Sequence, residues 1–259
     1  MRLVVLIPSY NTGSALLQST VRAALGRHPE VWVVIDGSTD GSSDALDGWE
    51  RDYSGLKVFK LPKNAGKGSA ILHGAKCADA EGVTHLLAMD ADGQHPADRI
   101  EKFVQVSCEH PEAMLLGCPV FGPEAPQLRV QGRKISNAWS NLETLGWGIG
   151  DSLFGMRVYP VKALLRAFQS TLFARRFDFD TEIAVRIAWQ GVPIVNVPTA
   201  VKYLSKDEGG VSQFRYFRDN TLLTWMHARL LIGFFLRLPV LSWRLVRGGN
   251  PLKHVKIRS

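Results

Sequence analysis

The chain has 259 residues, 46% of them hydrophobic, with three cysteines (Cys77, Cys108 and Cys118) and a formal net charge of +7. This length and apolar content exclude a disordered chain and suit one domain with an appendage or one large α/β domain, and an odd number of cysteines with no Cys-X-X-Cys pair fits reduced thiols in a cytosolic protein better than a disulfide framework. Beyond Gly210 nine Lys or Arg residues stand against one acid, Asp219, a net of +8, so the preceding residues sum to −1 and the basic tail expects an anionic partner.

Met1-Arg-Leu-Val-Val-Leu-Ile7-Pro8 has a short apolar run and no small-residue cleavage site, so it reads as a first strand and not a signal peptide. Leu3 to Ile7 is apolar throughout, the pattern of a strand buried on both faces of a parallel sheet. Pro8-Ser9-Tyr10-Asn11 ends it, and Thr12 or Ser14 caps a helix on which Leu17, Val21 and Leu25 recur at helical spacing. A second run, Val31 to Ile35, follows at the spacing of a βαβ unit. The polar turn Asp36-Gly37-Ser38-Thr39-Asp40-Gly41 comes next, then a shorter strand at Val58 to Leu61. Asn64-Ala-Gly66-Lys67-Gly68-Ser69 opens a helix carrying Ile71, Leu72 and Ala75, a turn suited to phosphate or ribose. It lacks the Walker A spacing, and a surface turn explains it equally well.

The stretch Thr84-His-Leu-Leu-Ala-Met-Asp90-Ala-Asp92-Gly-Gln94-His95 delivers two carboxylates, spaced i and i+2, where a buried strand stops. Alternation puts Asp90 and Asp92 on one side. Such a pair suits Mg2+ or Mn2+, which takes its remaining ligands from substrate phosphates, so the site asks for a phosphorylated donor. Standing alone, an Asp-X-Asp is more often a solvated loop. Tyr10, Asp36 and Asp90 all fall at strand ends, where open parallel sheets bind ligands.

In the second half, Met114 to Cys118 reads as a strand, Gly122 to Pro126 as a loop, and Gln127 to Trp147 as an amphipathic helix with Arg133 and Lys134 near its start. Phe177-Asp178-Phe179-Asp180-Thr181-Glu182-Ile183 opens another helix, whose dipole favours acids in the first turn. Val192 to Val197 is a further short strand. Leu222 to Val246 is rich in Leu, Phe and Trp, but Arg229, Arg237 and Pro239 interrupt it before the roughly 18 uncharged residues of a span. It fits helices lying in a membrane interface with a polybasic end, and a helix packed on the catalytic domain is the competing account. A chain ending near Gly210 is expected to stay in solution.

Ile7-Pro8-Ser9-Tyr10-Asn11, Val34-Ile35-Asp36-Gly37-Ser38-Thr39-Asp40, Asn64-X-Gly66-Lys67-Gly68 and Asp90-Ala-Asp92-Gly-Gln94-His95, in this order and at these separations, resemble glycosyltransferase family 2. The nearest resemblance is to polyprenyl- and dolichyl-phosphate sugar synthases and bacterial lipid-glycosylating relatives. It implies the GT-A fold, a mixed, mostly parallel α/β sheet flanked by helices. Residues 1–110 form the nucleotide-sugar half, 111–209 the acceptor half and 210–259 a basic amphipathic tail. It also implies an inverting, metal-dependent transfer. Pro8, Tyr10 and Asp36 would frame the nucleobase and ribose, and Lys67 and Asp90 would approach the sugar-nucleotide. Asp90, Asp92 and Gln94 would hold Mg2+ or Mn2+, and Arg133 and Arg157 would handle acceptor or donor phosphates. Asp180 matches the general base of members that glycosylate a hydroxyl, and Glu182 the acid that follows it. His95 is a metal ligand or a helix-entry residue.

One departure is Ile35, where the family usually has a first Asp, which bears on nucleobase recognition. In polyprenyl-phosphate enzymes the Asp180 position is often not acidic, because a phosphate oxygen needs no deprotonation to attack. The implied partners are a nucleotide-sugar donor, a lipid or polyprenyl-phosphate acceptor and an anionic membrane surface, met peripherally at the cytoplasmic face, with no nucleic acid. A sugar-1-phosphate nucleotidyltransferase would carry a Gly-rich basic loop after the first strand, which Pro8-Ser-Tyr-Asn-Thr is not. A non-catalytic adaptor would lack a metal carboxylate.

Overall fold

The structure is a computed structural model that describes residues 1–122, 127–200, 216–255 and 257, without the side chains of 128, 129 and 216–220. The loop expected at Gly122 to Pro126 therefore lies largely outside the described residues, as do the side chains of Arg215, Arg218, Lys256 and Arg258 in the tail.

The elements run β1 (Leu3–Ser9), α1 (Ser14–Leu25), β2 (Val31–Asp36), α2 (Trp49–Asp52), β3 (Leu56–Leu61), α3 (Lys67–Ala80) and β4 (His85–Ala88). They continue with α4 (Ile100–Glu109), β5 (Met114–Val120), α5 (Gln127–Glu143), β6 (Arg157–Pro160), α6 (Val161–Gln169), α7 (Phe179–Trp189), β7 (Ile194–Ala200) and α8 (Tyr216–Val246). The strands form one sheet of seven in the order β3-β2-β1-β4-β6-β5-β7. Among the described residues β6 alone runs against its neighbours, β4 and β5, and the other pairs are parallel.

The apolar runs of β1 and β2 are wholly buried because alternate side chains enter two different cores. Val4, Leu6, Trp32 and Val34 face one side with Ile71 of α3, Leu164 of α6 and Ile183 of α7. Leu3, Val5, Ile7, Val33 and Ile35 face the other, with Leu17 and Val21 of α1 and Phe103 of α4. The chain leaves β1 in opposite directions to reach β2 and β4, which puts the topological switch point, and its crevice, at the carboxyl ends of these strands. The antiparallel register of β6 pairs Ala88 with Arg157, so the stretch before Arg157 ends beside Asp90.

One local expectation changes. Helix α1 starts behind Gly13, at φ 80°, with no side-chain cap. The hydroxyl of Thr12 instead pairs with that of Ser9 at 3.0 Å, and the Gly13 N–H donates to Asp40 Oδ2 at 2.7 Å. Helix α8 packs on the catalytic body: its Met226, Leu230, Phe234 and Leu241 are buried in the same cluster as α3, α6 and α7. Gly233 lets α8 close on Trp189, whose ring a Cβ would meet at 2.7 Å. Arg244 donates to the Trp189 carbonyl at 2.7 Å, satisfying an orphan acceptor at the end of α7. The other face of α8 leaves Trp225, Ile232, Phe235, Leu236, Val240, Trp243 and Val246 exposed. No helix among the described residues is long and apolar enough to cross a membrane.

Candidate active site

The carboxyl end of β1 leads into Pro8, Ser9 and Tyr10, and Asn11 takes a positive φ of 47°. The Asn11 side chain holds the loop after β2 by accepting from the Thr39 N–H at 2.8 Å, while the Asn11 N–H donates to Ser38 Oγ at 3.1 Å. Asp36, at the end of β2, is buried, and its carboxylate accepts from Asn64 Nδ2 (3.0 Å), Ala65 N (2.9 Å) and Gly66 N (2.7 Å). Its oxygens are therefore committed to shaping the turn that opens α3. Gly66, at φ 97°, and Gly68 belong to that turn because a Cβ on either would strike the carbonyl of Arg175 or Ala174.

Lys67, the first residue of α3, reaches into the switch-point crevice. Its Nζ lies 2.7 Å from Asp90 Oδ1 and 2.8 Å from Asp180 Oδ2. Burial works against the ammonium, but Asp180 and Asp90 outweigh it and hold its pKa above the ordinary lysine value. The same pairing, with Lys67 ahead of His95, keeps Asp90 below the usual carboxylate range in spite of burial. Asp92 is pushed up, first by burial and then by the like charge of Asp90. Gln94 closes the loop through its backbone, its N–H donating to Asp92 Oδ1 at 3.0 Å. A Cβ at Gly155 would stand 2.3 Å from Asp90 Oδ2 and 2.8 Å from Lys67 Nζ, so a side chain there would displace this pair.

His95 stands just before the helical turn Ala97–Arg99 and packs against the Asp90–Gln94 loop. Its Nδ1 accepts the Asp90 N–H at 2.9 Å, which leaves the proton on Nε2, 3.9 Å from Asp90 Oδ2. Buried against Phe154, with ring centroids 4.6 Å apart, it shapes the Asp90–Gln94 loop as a neutral imidazole, its pKa lowered by burial.

On the acceptor side, Arg157 is fully buried and spends Nε on the Phe154 carbonyl at 2.6 Å and Nη1 on the Asp180 carbonyl. It holds the start of α7, and a phosphate would reach it only after rearrangement. Arg133 remains nearer the surface, paired with Asp151 Oδ1 at 2.7 Å. Asp151 also accepts the N–H groups of Leu153 and Phe154, and Thr181 Oγ1 donates to the Ser152 carbonyl at 2.9 Å. Asp180 keeps one oxygen, Oδ1, without a hydrogen-bond partner among the described residues.

Glu182 is not at the crevice. Its carboxylate is fully buried and accepts from Thr171 Oγ1 (2.7 Å), Arg186 Nε (2.9 Å) and Arg229 Nη2 (2.9 Å). The structure thus gathers Lys67, Asp90, Asp92 and Asp180 into one cluster, while the side chains of Asp36, Arg157 and Glu182 bond to neighbouring turns and helices. Sequence reasoning missed Asn64, Asp151, Thr181 and Arg229. Asn64 was legible as part of the Asn-X-Gly-Lys-Gly turn, whereas Arg229 sits in a hydrophobic run far along the chain and carried no local signal.

The family described as Glycosyl transferase family 2 matches residues 4–175. The polyprenol monophosphomannose synthase of Mycolicibacterium smegmatis is 27% identical over 220 residues, covering 82% of this chain and 80% of the relative. The undecaprenyl-phosphate mannosyltransferase of Micrococcus luteus is 26% identical over 216 residues, covering 76% of this chain and 82% of the relative. A mannosyltransferase from Pyrobaculum calidifontis, solved in complex with GDP-Man and Mn2+, superposes with a TM-score of 0.59 over 98% of this chain and 68% of that one, at 19% identity. That likeness bears out the GT-A architecture.

Proposed function

The chain belongs to glycosyl transferase family 2 and is a glycosyltransferase, and from that premise we propose that it moves a hexose from a nucleotide-sugar to a polyprenyl phosphate, with inversion, at a membrane surface. The observation that carries this reading is the Lys67 ammonium held between Asp90 of the nucleotide half and Asp180 of the acceptor half. Two of its three N–H groups meet these carboxylates, and the third would meet a phosphate oxygen. The names of the relatives from M. smegmatis and M. luteus supply the acceptor class.

Asp90 and Asp92 fit a divalent cation by the chemistry of the donor set. Two crowded carboxylates, one of them pushed up by burial and then by the charge of the other, would be relieved by a dication whose further ligands come from the donor diphosphate. Bound there, Mg2+ or Mn2+ would supply Lewis-acid neutralisation of the leaving group. No third His, Cys, Asp or Glu joins the pair among the described residues. Asp92→Asn is expected to abolish Mn2+ binding in the presence of nucleoside diphosphate, measured by calorimetry, while the circular dichroism stays that of wild type. Unchanged Mn2+ affinity would remove Asp92 from the metal assignment.

An acceptor phosphate attacks without deprotonation, because its second ionisation lies near pH 6. Asp180 then serves to hold Lys67 and needs no proton. Arg133, on the rim of the acceptor half, would meet the acceptor phosphate in competition with Asp151. The exposed face of α8, continued by Ile135, Trp139 and Leu142 of α5 and by Leu172, Phe173 and Phe177, would rest on an anionic leaflet.

A second reading is favoured by the unpartnered Asp180 Oδ1, which is free to accept a proton from a hydroxyl acceptor. Asp180→Asn separates the two. It should lower kcat by about two to four powers of ten if Asp180 is the general base. Transfer to undecaprenyl phosphate surviving the change, in a screen of GDP-mannose, UDP-glucose and UDP-N-acetylglucosamine, would establish the phosphate acceptor. Loss of that size, with a hydroxyl lipid as the working acceptor, would establish the base.

A further inference from the structure

Arg229 lies in the middle of α8, and its contacts lead away from the tail. Its Nη2 is 2.9 Å from Glu182 Oε2, two residues along α7 from Asp180, and 3.7 Å from Asp178 Oδ2. Asp178 accepts the N–H groups of Ala174 and Arg176, each at 3.1 Å, and Thr171 bridges Glu182 Oε1 to the Phe173 N–H. The 171–177 segment is thereby tied to α7 and α8 together. Its carbonyls at 174 and 175 in turn lie against Gly68 and Gly66, so closely that neither glycine has room for a Cβ. Between those glycines stands Lys67.

The outer side of the guanidinium is covered by aromatic rings, Phe173 at 3.8 Å and Trp225 at 5.7 Å from centroid. Those rings are 45% and 57% exposed and stand beside Leu172, 89% exposed. Arg229 Nε and Nη1 have no hydrogen-bond partner among the described residues, so the ring faces and the carboxylates are what hold it. An ion pair and a cation–π contact both strengthen when water is removed from above them.

We propose that Arg229 is a positioning residue for transfer: through Glu182, Asp178 and the 171–177 segment it fixes the Lys67–Asp180 pair, most firmly when a lipid surface covers Phe173 and Trp225. This rests on the reading of the chain as a transferase to a membrane-borne acceptor, and it adds that the bilayer orders the donor turn as well as presenting the acceptor. The occupant is a lipid bilayer because the patch combines the exposed Leu172, Phe173, Phe177 and Trp225 with the exposed cation Arg176, the pairing of apolar and basic groups that an anionic interface accommodates.

The test uses the full chain, with phosphatidylglycerol vesicles free of acceptor, and hydrogen–deuterium exchange read by mass spectrometry. In the wild type, vesicles should slow exchange at 64–69 and 174–182 as well as in α8. In Arg229→Ala protection should remain in α8 and vanish from the other two segments, with partial recovery in Arg229→Lys. Phe173→Ser, a change at an exposed ring, should behave like Arg229→Ala while keeping the wild-type melting temperature. With undecaprenyl phosphate added to the vesicles, Arg229→Ala should lower kcat about 10- to 100-fold and leave the nucleotide-sugar KM within about twofold. A purely structural role would lower the melting temperature and the active fraction without that split. Protection confined to α8 in the wild type, or equal protection of 64–69 in Arg229→Ala, would overturn the proposal. The exchange measurement needs no turnover, so its failure is separable from failure to find any acceptor.

Discussion

A buried ammonium shared by two carboxylates is stable only while all three charges stay together, since burial disfavours each of them alone. Lys67 is in that position, with side-chain exposures of 19% for itself, 27% for Asp90 and 11% for Asp180. Lys67→Met therefore leaves two uncompensated carboxylates, at a cost of about 3 kcal/mol, the low end for breaking a buried pair because Asp90 keeps some solvent. The pH dependence follows from the directions of the shifts. Lys67 is raised, so its contribution is present below the ordinary lysine pKa and is lost only in strong alkali. Asp90 is lowered, so its contribution is present above the ordinary carboxylate pKa and fades as pH falls through the depressed value. The difference between wild type and Lys67→Met in urea unfolding should thus be flat across neutral pH and shrink in acid. A difference that grows in acid would show that the three groups are not coupled as described.

At the scale of elements, α8 behaves as part of the catalytic body. Leu230 is fully buried among residues of α3, α6 and α7, so Leu230→Ala is expected to cost about 2–5 kcal/mol. A chain ending near Gly210 would uncover the partners of Met226, Leu230, Phe234 and Leu241, and it should aggregate instead of staying in solution. A soluble, cooperatively melting truncation would contradict this. The parallel core was legible in the sequence because β1, β2 and β4 are continuous apolar runs ended by Pro8, Asp36 and Asp90. The antiparallel placement of β6 was not, since nothing in Arg157-Val-Tyr-Pro160 states its direction or its register against Ala88. The same limit applies to the site. Asp90 and Asp92 declared themselves by spacing, but whether Asp36 or Glu182 faces a ligand or a neighbouring loop depends on contacts such as those with Asn64 and Arg229, which lie far away in sequence.

For the whole molecule, charge and apolar exposure meet on the tail: the exposed Arg247 and Lys253 follow the exposed Phe235, Leu236, Trp243 and Val246, while Arg237 and Arg244 pack against Trp189. Each cation near an anionic leaflet contributes about 1 kcal/mol, and only those that face it count. Sedimentation with phosphatidylglycerol vesicles at low salt is expected, with partial release at high salt because screening removes the charge component and spares the apolar one. Equal binding to neutral vesicles would separate this face from an anionic surface. The account as a whole turns on the bond the enzyme makes. The most direct measurement is mass spectrometry of the lipid formed by the purified full chain from a nucleotide-sugar, Mn2+ and undecaprenyl phosphate, before and after mild acid. A hexosyl-phosphoundecaprenol that mild acid returns to undecaprenyl phosphate is the predicted result, and a product whose sugar resists mild acid, or forms only on a hydroxyl lipid, would contradict it.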